Sequence, residues 1–221
     1  MKKAVITLGL ALWASTFIGG TLFLSAGRVD IPLLWANLLV WIGFTTIIAW
    51  MMDLDLMRER SRVGQGIRGR LIQILGLPAL ASHFIIAGLD LGRFHWSDSI
   101  PMGLQAAGLG MMVLGFGLLS WTIFVNPFFA KAVRIQKDRG HEIVTSGPYR
   151  YARHPGYAAF FFIFLASGLA LGSWASSIPA IGVALFFIRR TVIEDRFLRE
   201  NLEGYPDYVE RVPRRLIPGL W

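Results

Sequence analysis

The sequence predicts an all-α, polytopic membrane protein of about six transmembrane helices, the last two forming a hairpin between cytoplasmic loops. Three observations carry that expectation. Apolar residues make up 54% of the 221-residue chain and charged residues only 16%, against about a quarter charged in a soluble domain. The apolar residues are gathered into runs near the 20 or so that a helix needs to cross a bilayer. No Asp, Glu, Lys or Arg falls inside those runs, while basic residues crowd the connectors.

Met1-Lys2-Lys3 precedes the first run, Ala4–Ala26. It is longer than a signal-peptide core and Gly19-Gly20 is a poor cleavage site, so a retained span is expected. Ile31–Met52, Leu71–Leu89 and Ile100–Val125 supply the next three. The charge-free block Pro155–Ile188 is too long for one span, and Gly172-Ser173-Trp174-Ala175-Ser176-Ser177 divides it into a tight hairpin. The division expected is therefore 1–126, a bundle of four spans, and 127–221, a region holding the hairpin and its polar flanks.

Charge sets the expected orientation. Of the 22 Lys and Arg residues, all but Arg28 and Arg93 fall on one side of these spans. By the positive-inside rule that side is cytoplasmic and holds both termini. The net charge of +8 thus reads as topology and contact with lipid headgroups; no motif supports a nucleic-acid partner. Cysteine is absent, which excludes disulfides and thiolate chemistry. No spacing of metal ligands occurs. His83, the one ionisable residue mid-span, is expected to be neutral and bonded to a neighbouring helix. Gly103, Ala107, Gly110 and Gly117 recur at helical spacing and suggest a close helix contact. Asp53–Arg70 reads as a solvated, Arg-rich connector.

The polar chemistry concentrates between the fourth and fifth spans. Gly140 to Tyr157 holds two histidines, two arginines and three tyrosines at a membrane mouth, where polar groups are a functional-site hypothesis by default. Pro155 suits the first turn of the fifth helix and sets Arg153 and His154 beside its amide groups, a place that favours an anion. The sixth span is expected to continue as a polar helix over Arg189–Leu202, closed by Gly204. Arg190 and Glu194 share one face of it and Arg189 and Arg196 another.

Thr145-Ser-Gly-Pro-Tyr149, Arg153-His-Pro-Gly-Tyr157, Glu194-Asp195-x-x-Leu198, Gly204-Tyr-x-x-Tyr208 and the Val212-Pro213 to Ile217-Pro218-Gly219 tail occur in that order. Together they resemble the isoprenylcysteine carboxyl methyltransferase family and the related phospholipid methyltransferases, over roughly Val133 to Gly219. The resemblance implies an integral membrane enzyme that takes S-adenosylmethionine from the cytoplasm and a lipophilic methyl acceptor from the bilayer. On that resemblance His141, Ile143, Val144, Tyr149, His154, Pro155, Tyr157 and Glu194 hold the cofactor, and Arg153 with Arg189 or Arg190 faces the acceptor. The family commonly has Glu-Glu where Glu194-Asp195 stands here, which leaves the role of Asp195 open.

The residues themselves fit such chemistry. An activated methyl group needs alignment, exclusion of water and charge handling rather than a metal. A carboxylate acceptor would be held by paired guanidinium groups; an amine would call for a base such as Glu194 or His154. Two other readings compete. A membrane NADPH reductase of the sterol type also resembles this chain in an Arg-His-Pro-x-Tyr element, but usually with Leu-Trp in place of Pro148-Tyr149. A non-catalytic membrane partner would have no need for His141, Arg153, His154 and Glu194 together.

Overall fold

The computed structural model describes residues 2–61, 67–130, 133–219 and 221. The described residues form helices and loops with no strand. Arg62 and Lys131, two of the cations used to orient the chain, lie outside them.

The first span is α1 (Lys2–Ala14), a five-residue π turn, and α2 (Gly20–Ala26). Ser15, Thr21 and Ser25 all donate their hydroxyls back to carbonyls one turn earlier, so these three hydroxyls are satisfied without a partner helix. The second is α3 (Pro32–Met51), and α4 (Leu54–Ser61) follows almost at once, with Asp53 Oδ1 accepting from the Leu56 N–H at its start. The expected solvated connector is thus replaced in part by a packed helix. Leu56 and Met57 are buried against α3, α6 and α7, which the alternation of charges along Leu54–Ser61 concealed.

Next come α5 (Ile67–Leu89), α6 (Met102–Val125), α7 (Pro155–Leu171), α8 (Trp174–Asn201) and the short α9 (Tyr205–Arg211). Among the described residues four helical segments are long and apolar enough to cross a bilayer: Lys3–Ala26, Pro32–Met51, Met102–Val125 and Trp174–Asn201. The fifth apolar helix, α7, is shorter, and α5 completes the bundle by packing between α2 and α8. The chain is an all-α multi-pass membrane protein.

The hairpin turns on Gly172, whose φ of 79° a side chain would strain. Ser173 then caps α8 by accepting the Ser176 N–H at 3.1 Å. Beneath it Asp90, fully buried, accepts from the Ser97 amide and from the hydroxyls of Ser97 and Ser173. His83 is buried on α5 with Nδ1 2.8 Å from the Ser176 carbonyl of α8, the helix-to-helix bond that was expected.

A close seam runs between α6 and α7, and other glycines than those expected make it. A Cβ on Gly108 would stand 2.6 Å from the Ala170 amide, and one on Gly115 2.7 Å from Ile163. Gly103, Gly110 and Gly117 would meet nothing within 4 Å, and with Ala107 they lie on the exposed face of α6. Two glycine stripes share this helix with the same seven-residue period, and spacing alone does not say which one faces a neighbour.

Candidate active site

At one end of the bundle the segments 126–130 and 133–154, the first turn of α7, the polar extension of α8, and α9 line a cavity. His141, Ile143, Val144, Tyr149, His154, Tyr157 and Glu194 all line it, as does Arg153. Pro155 forms the first turn of α7 without reaching the wall. Asn126, Phe128 and Arg134, which no motif singled out, line it too, together with Tyr205 of the Gly204-Tyr-x-x-Tyr208 motif.

Local sequence explains how the loop is held. Lys137–Arg139 makes a single 3-10 turn that Gly140 closes with φ 63°. The His141 ring then returns to Gln136, Nδ1 accepting the Gln136 amide hydrogen at 3.2 Å, and Phe128 stacks on it at 4.5 Å. Because Nδ1 accepts, the ring proton sits on Nε2, which leaves a donor for a ligand. Burial lowers the His141 pKa below 6.5, opposed next by the pull of Glu194 and reinforced by the smaller effects of Arg134 and Arg139. Its ring is therefore neutral at pH 7. Arg134 bonds the buried Glu59 of α4 at 2.8 Å and pairs with Asp138, tying the loop to the second span's extension.

The second turn, Gly147–Arg150, seats Tyr149 in the wall. Gly147 has φ 57° and lies so close to Trp121 and Val125 of α6 that a Cβ would clash. Tyr149 accepts from Asn126 Nδ2 at 2.7 Å, and the Tyr208 hydroxyl donates to the Tyr149 carbonyl at 2.7 Å. Burial raises the phenol pKa of Tyr149, Tyr205 and Tyr208 above the ordinary value, so all three remain neutral. At Gly156 a Cβ would strike the ring of Phe129 at 2.6 Å; only glycine lets that ring cover the first turn of α7.

Asp195 is the centre of the polar scaffold. Arg153 donates Nε to Oδ1 at 2.7 Å and Nη2 to Oδ2 at 3.1 Å, and gives Nη1 to the Val212 carbonyl at 2.6 Å. Arg199 and Arg215 each reach Oδ2 at 3.1 Å. His154 Nε2 lies 3.3 Å from Oδ1, and the Tyr205 hydroxyl donates to the same oxygen at 3.2 Å. The residue whose role the sequence left open thus joins α7, α8, α9 and the tail. The tail adds two backbone bonds, Arg153 N–H to the Arg214 carbonyl at 3.0 Å and His154 N–H to the Arg215 carbonyl at 2.8 Å. Two of the first-turn amides of α7, expected to face an anion, are instead bonded within the chain, the Tyr157 and Ala158 N–H groups donating to the His154 carbonyl at 3.0 and 3.2 Å.

Glu194 is held separately. Tyr157 donates its hydroxyl to Oε2 at 2.6 Å while accepting from Arg190 Nε, whose guanidinium also lies over the Tyr157 ring at 5.5 Å. Among the described residues Oε1 of Glu194 has no hydrogen bond. Of the three arginines expected at an acceptor, Arg153 turns its fork to Asp195, Arg190 stands beside Tyr157 and Glu194, and Arg189 is exposed on the other side of α8.

A neutral ring donor, an open carboxylate oxygen and aromatic walls form a set suited to an amphoteric, partly aromatic small molecule. Comparisons with known proteins bear on which one. Residues 104–203 match the phospholipid methyltransferase family model. That match begins at α6 and stops before Tyr205, so it is shifted toward the N-terminus relative to the motifs read from the sequence.

The chain is 30% identical over 112 residues to a protein-S-isoprenylcysteine O-methyltransferase of Schizosaccharomyces pombe, covering 49% of this chain and 48% of that one. It is 28% identical over 142 residues to the cobalt-zinc-cadmium resistance protein CzcN of Cupriavidus metallidurans, 63% of this chain and 61% of the relative. The chain spans about half the length of the curated methyltransferases it matches. A solved structure of the eukaryotic intramembrane Ras methyltransferase ICMT (isoprenylcysteine carboxyl methyltransferase) superposes with a TM-score of 0.51 at 20% identity, over 99% of this chain and 82% of that one. The likeness shows a shared fold. The similarity read from the motifs is borne out, and it favours the methyltransferases over the reductases.

Proposed function

We propose that this chain is an S-adenosylmethionine-dependent integral membrane methyltransferase whose acceptor partitions into the bilayer. The observation that carries the reading is the convergence of His141, Tyr149, His154, Tyr157 and Glu194 on one cavity inside the region that matches the family model. The residues present fit the cofactor. Glu194 Oε1 would accept from its ammonium group, His141 Nε2–H would meet a carboxylate or ring nitrogen, and the faces of Tyr149, Tyr157 and Phe128 suit both a purine and a sulfonium. When bound, the cofactor supplies an already activated methyl group, so the protein's tasks are alignment and dryness.

Each task has residues. Tyr157, fixed between Arg190 and Glu194, orients the carboxylate that receives the cofactor's amine. Phe128 and Phe129 exclude water from the mouth. Arg190 is the guanidinium placed to hold an anionic acceptor such as a prenylcysteine-like carboxylate, while Arg153 acts as a positioning residue through Asp195. The orientation with the cavity and both termini in the cytoplasm rests on the distribution of Lys and Arg.

Equilibrium titration of the detergent-purified protein with S-adenosylhomocysteine and, separately, NADPH tests the reading. Saturable binding of S-adenosylhomocysteine alone is expected. Binding of NADPH alone would replace the methyltransferase with a reductase, and binding of neither would favour a non-catalytic partner.

A further inference from the structure

Arg189 is the site candidate that the cavity does not absorb. Ile178, Ile181, Leu185, Arg189, Val192 and Arg196 follow one another at intervals of three or four, so they share one face of α8. The first three are 74%, 45% and 58% exposed: this is the face α8 turns to lipid. Where the apolar run ends, Arg189, Val192, Ile193, Arg196, Phe197 and Glu200 border a shallow groove on the same face. Arg189 and Arg196 are exposed, and among the described residues neither has an ion pair or hydrogen bond. Glu194 and Leu198, which line the cofactor cavity, project from the opposite side of the helix.

We propose that this groove holds an anionic glycerophospholipid, its phosphodiester between Arg189 and Arg196 and its acyl chains along Leu185, Ile181 and Ile178. The two arginines are two helical turns apart, about 10.5 Å of rise. Helical side chains lean toward the N-terminus, so both arginines lean toward the membrane, and the length of the two side chains spans the interval between them. Arginine forks suit phosphate oxygens, and Val192, Ile193 and Phe197 give the glycerol and first methylenes an apolar floor. Glu200 at the outer rim disfavours a second anion further from the bilayer, which sets the depth of the phosphate. The lipid is bound as a fixed neighbour of α8 and not as the methyl acceptor, because the groove and the cavity lie on opposite faces.

Native mass spectrometry of the purified full chain, equilibrated in detergent with equimolar short-chain phosphatidylglycerol and phosphatidylcholine, tests this. Each arginine near an anionic headgroup is worth about fivefold in binding, so the wild type is expected to retain phosphatidylglycerol with a preference on the order of tenfold or more. Arg189→Gln/Arg196→Gln should bring that preference close to unity, with an unchanged melting temperature showing that the fold survives. Arg150→Gln/Arg211→Gln, which removes two exposed cations elsewhere, should leave it intact. An undiminished preference in the first double variant, or an equal loss in the second, overturns the site in favour of diffuse attraction to a basic surface. Displacement of the lipid by equimolar glycerol 3-phosphate overturns it as well, since the groove would then bind a free anion.

Discussion

Arg153, just before α7, meets Asp195 of α8 as a parallel two-point pair, Nε to Oδ1 at 2.7 Å and Nη2 to Oδ2 at 3.1 Å, with both side chains almost wholly buried. Asp195→Asn removes the charge that Arg153, Arg199 and Arg215 share and turns an amide hydrogen toward a guanidinium. Stranding a buried cation in this way costs about 3–5 kcal/mol. The variant should melt well below the wild type in detergent. A melting temperature within a degree or two of wild type would deny Asp195 its central role.

Glu194→Ala and His154→Ala should each weaken S-adenosylhomocysteine binding. Loss of a hydrogen bond to a charged group costs about 1.5–3 kcal/mol, or roughly tenfold or more in Kd. Among the described residues Glu194 has one oxygen bonded and one open, so its alanine variant should lose affinity without losing the fold. Unchanged calorimetric titrations for both variants would move the cofactor elsewhere.

His141 makes binding sensitive to mild acid. Its folded pKa is lowered from 6.5, so the unfolded chain takes up its proton first, and stability rises with pH in that window. The stabilising arrangement is complete above about pH 6.5 and is lost as pH falls through the lower, folded value, where a proton on Nδ1 breaks the bond from the Gln136 amide. S-adenosylhomocysteine affinity should be level between pH 7 and 8 and fall below pH 6. In His141→Asn the acid limb should flatten.

Arg190→Lys separates acceptor classes. Lysine keeps the charge and loses the planar fork. If the acceptor is a carboxylate, turnover should drop sharply, by about tenfold or more, with S-adenosylhomocysteine affinity within about threefold of wild type. Near-normal methyl transfer would favour an amine or thiol acceptor. Arg153→Lys should instead resemble Asp195→Asn, lowering stability along with activity.

Much of this was legible because membrane insertion writes itself into composition. The spans, the hairpin turn at Gly172 and the break at Gly204 follow from apolar length and two glycines with positive φ. The cavity was legible through ordered motifs, since Tyr149, His154, Tyr157 and Glu194 belong to motifs in two separate stretches that periodicity could not have joined. What stayed hidden was pairing. Nothing local distinguishes an Arg153 aimed at substrate from one aimed at Asp195, 42 positions away, nor a Glu59 buried against Arg134 from a solvated one. Asn126 and Phe128 lie at a span end that reads as a simple stop.

The two glycine stripes of α6 offer a direct check on packing. Gly108→Leu or Gly115→Leu forces a side chain into the backbone or core of α7, and overpacking typically costs 1–3 kcal/mol. Gly110→Leu, on the open face, should melt near the wild type. Equal losses at all three positions would mean that the exposed stripe also has a neighbour.

The hairpin is short. α7 has 17 residues, about 26 Å at 1.5 Å per residue, against a hydrocarbon thickness of about 30 Å, and the apolar part of α8 before Arg189 is no longer. With its far end fixed at the Gly172 turn, the Pro155 end stops a few ångströms short of the opposite hydrocarbon boundary. A leaflet dimpled there to match would bring headgroups and water down to the level of Arg153 and His154 while acyl chains still reach the rim. On the proposed function, a water-soluble cofactor and a greasy acceptor would thereby meet at a common depth. The dimple costs a fraction of a kcal/mol per ångström, and that cost grows with acyl-chain length. Membrane thickness thus acts as a load on the one helix end from which the pocket is built.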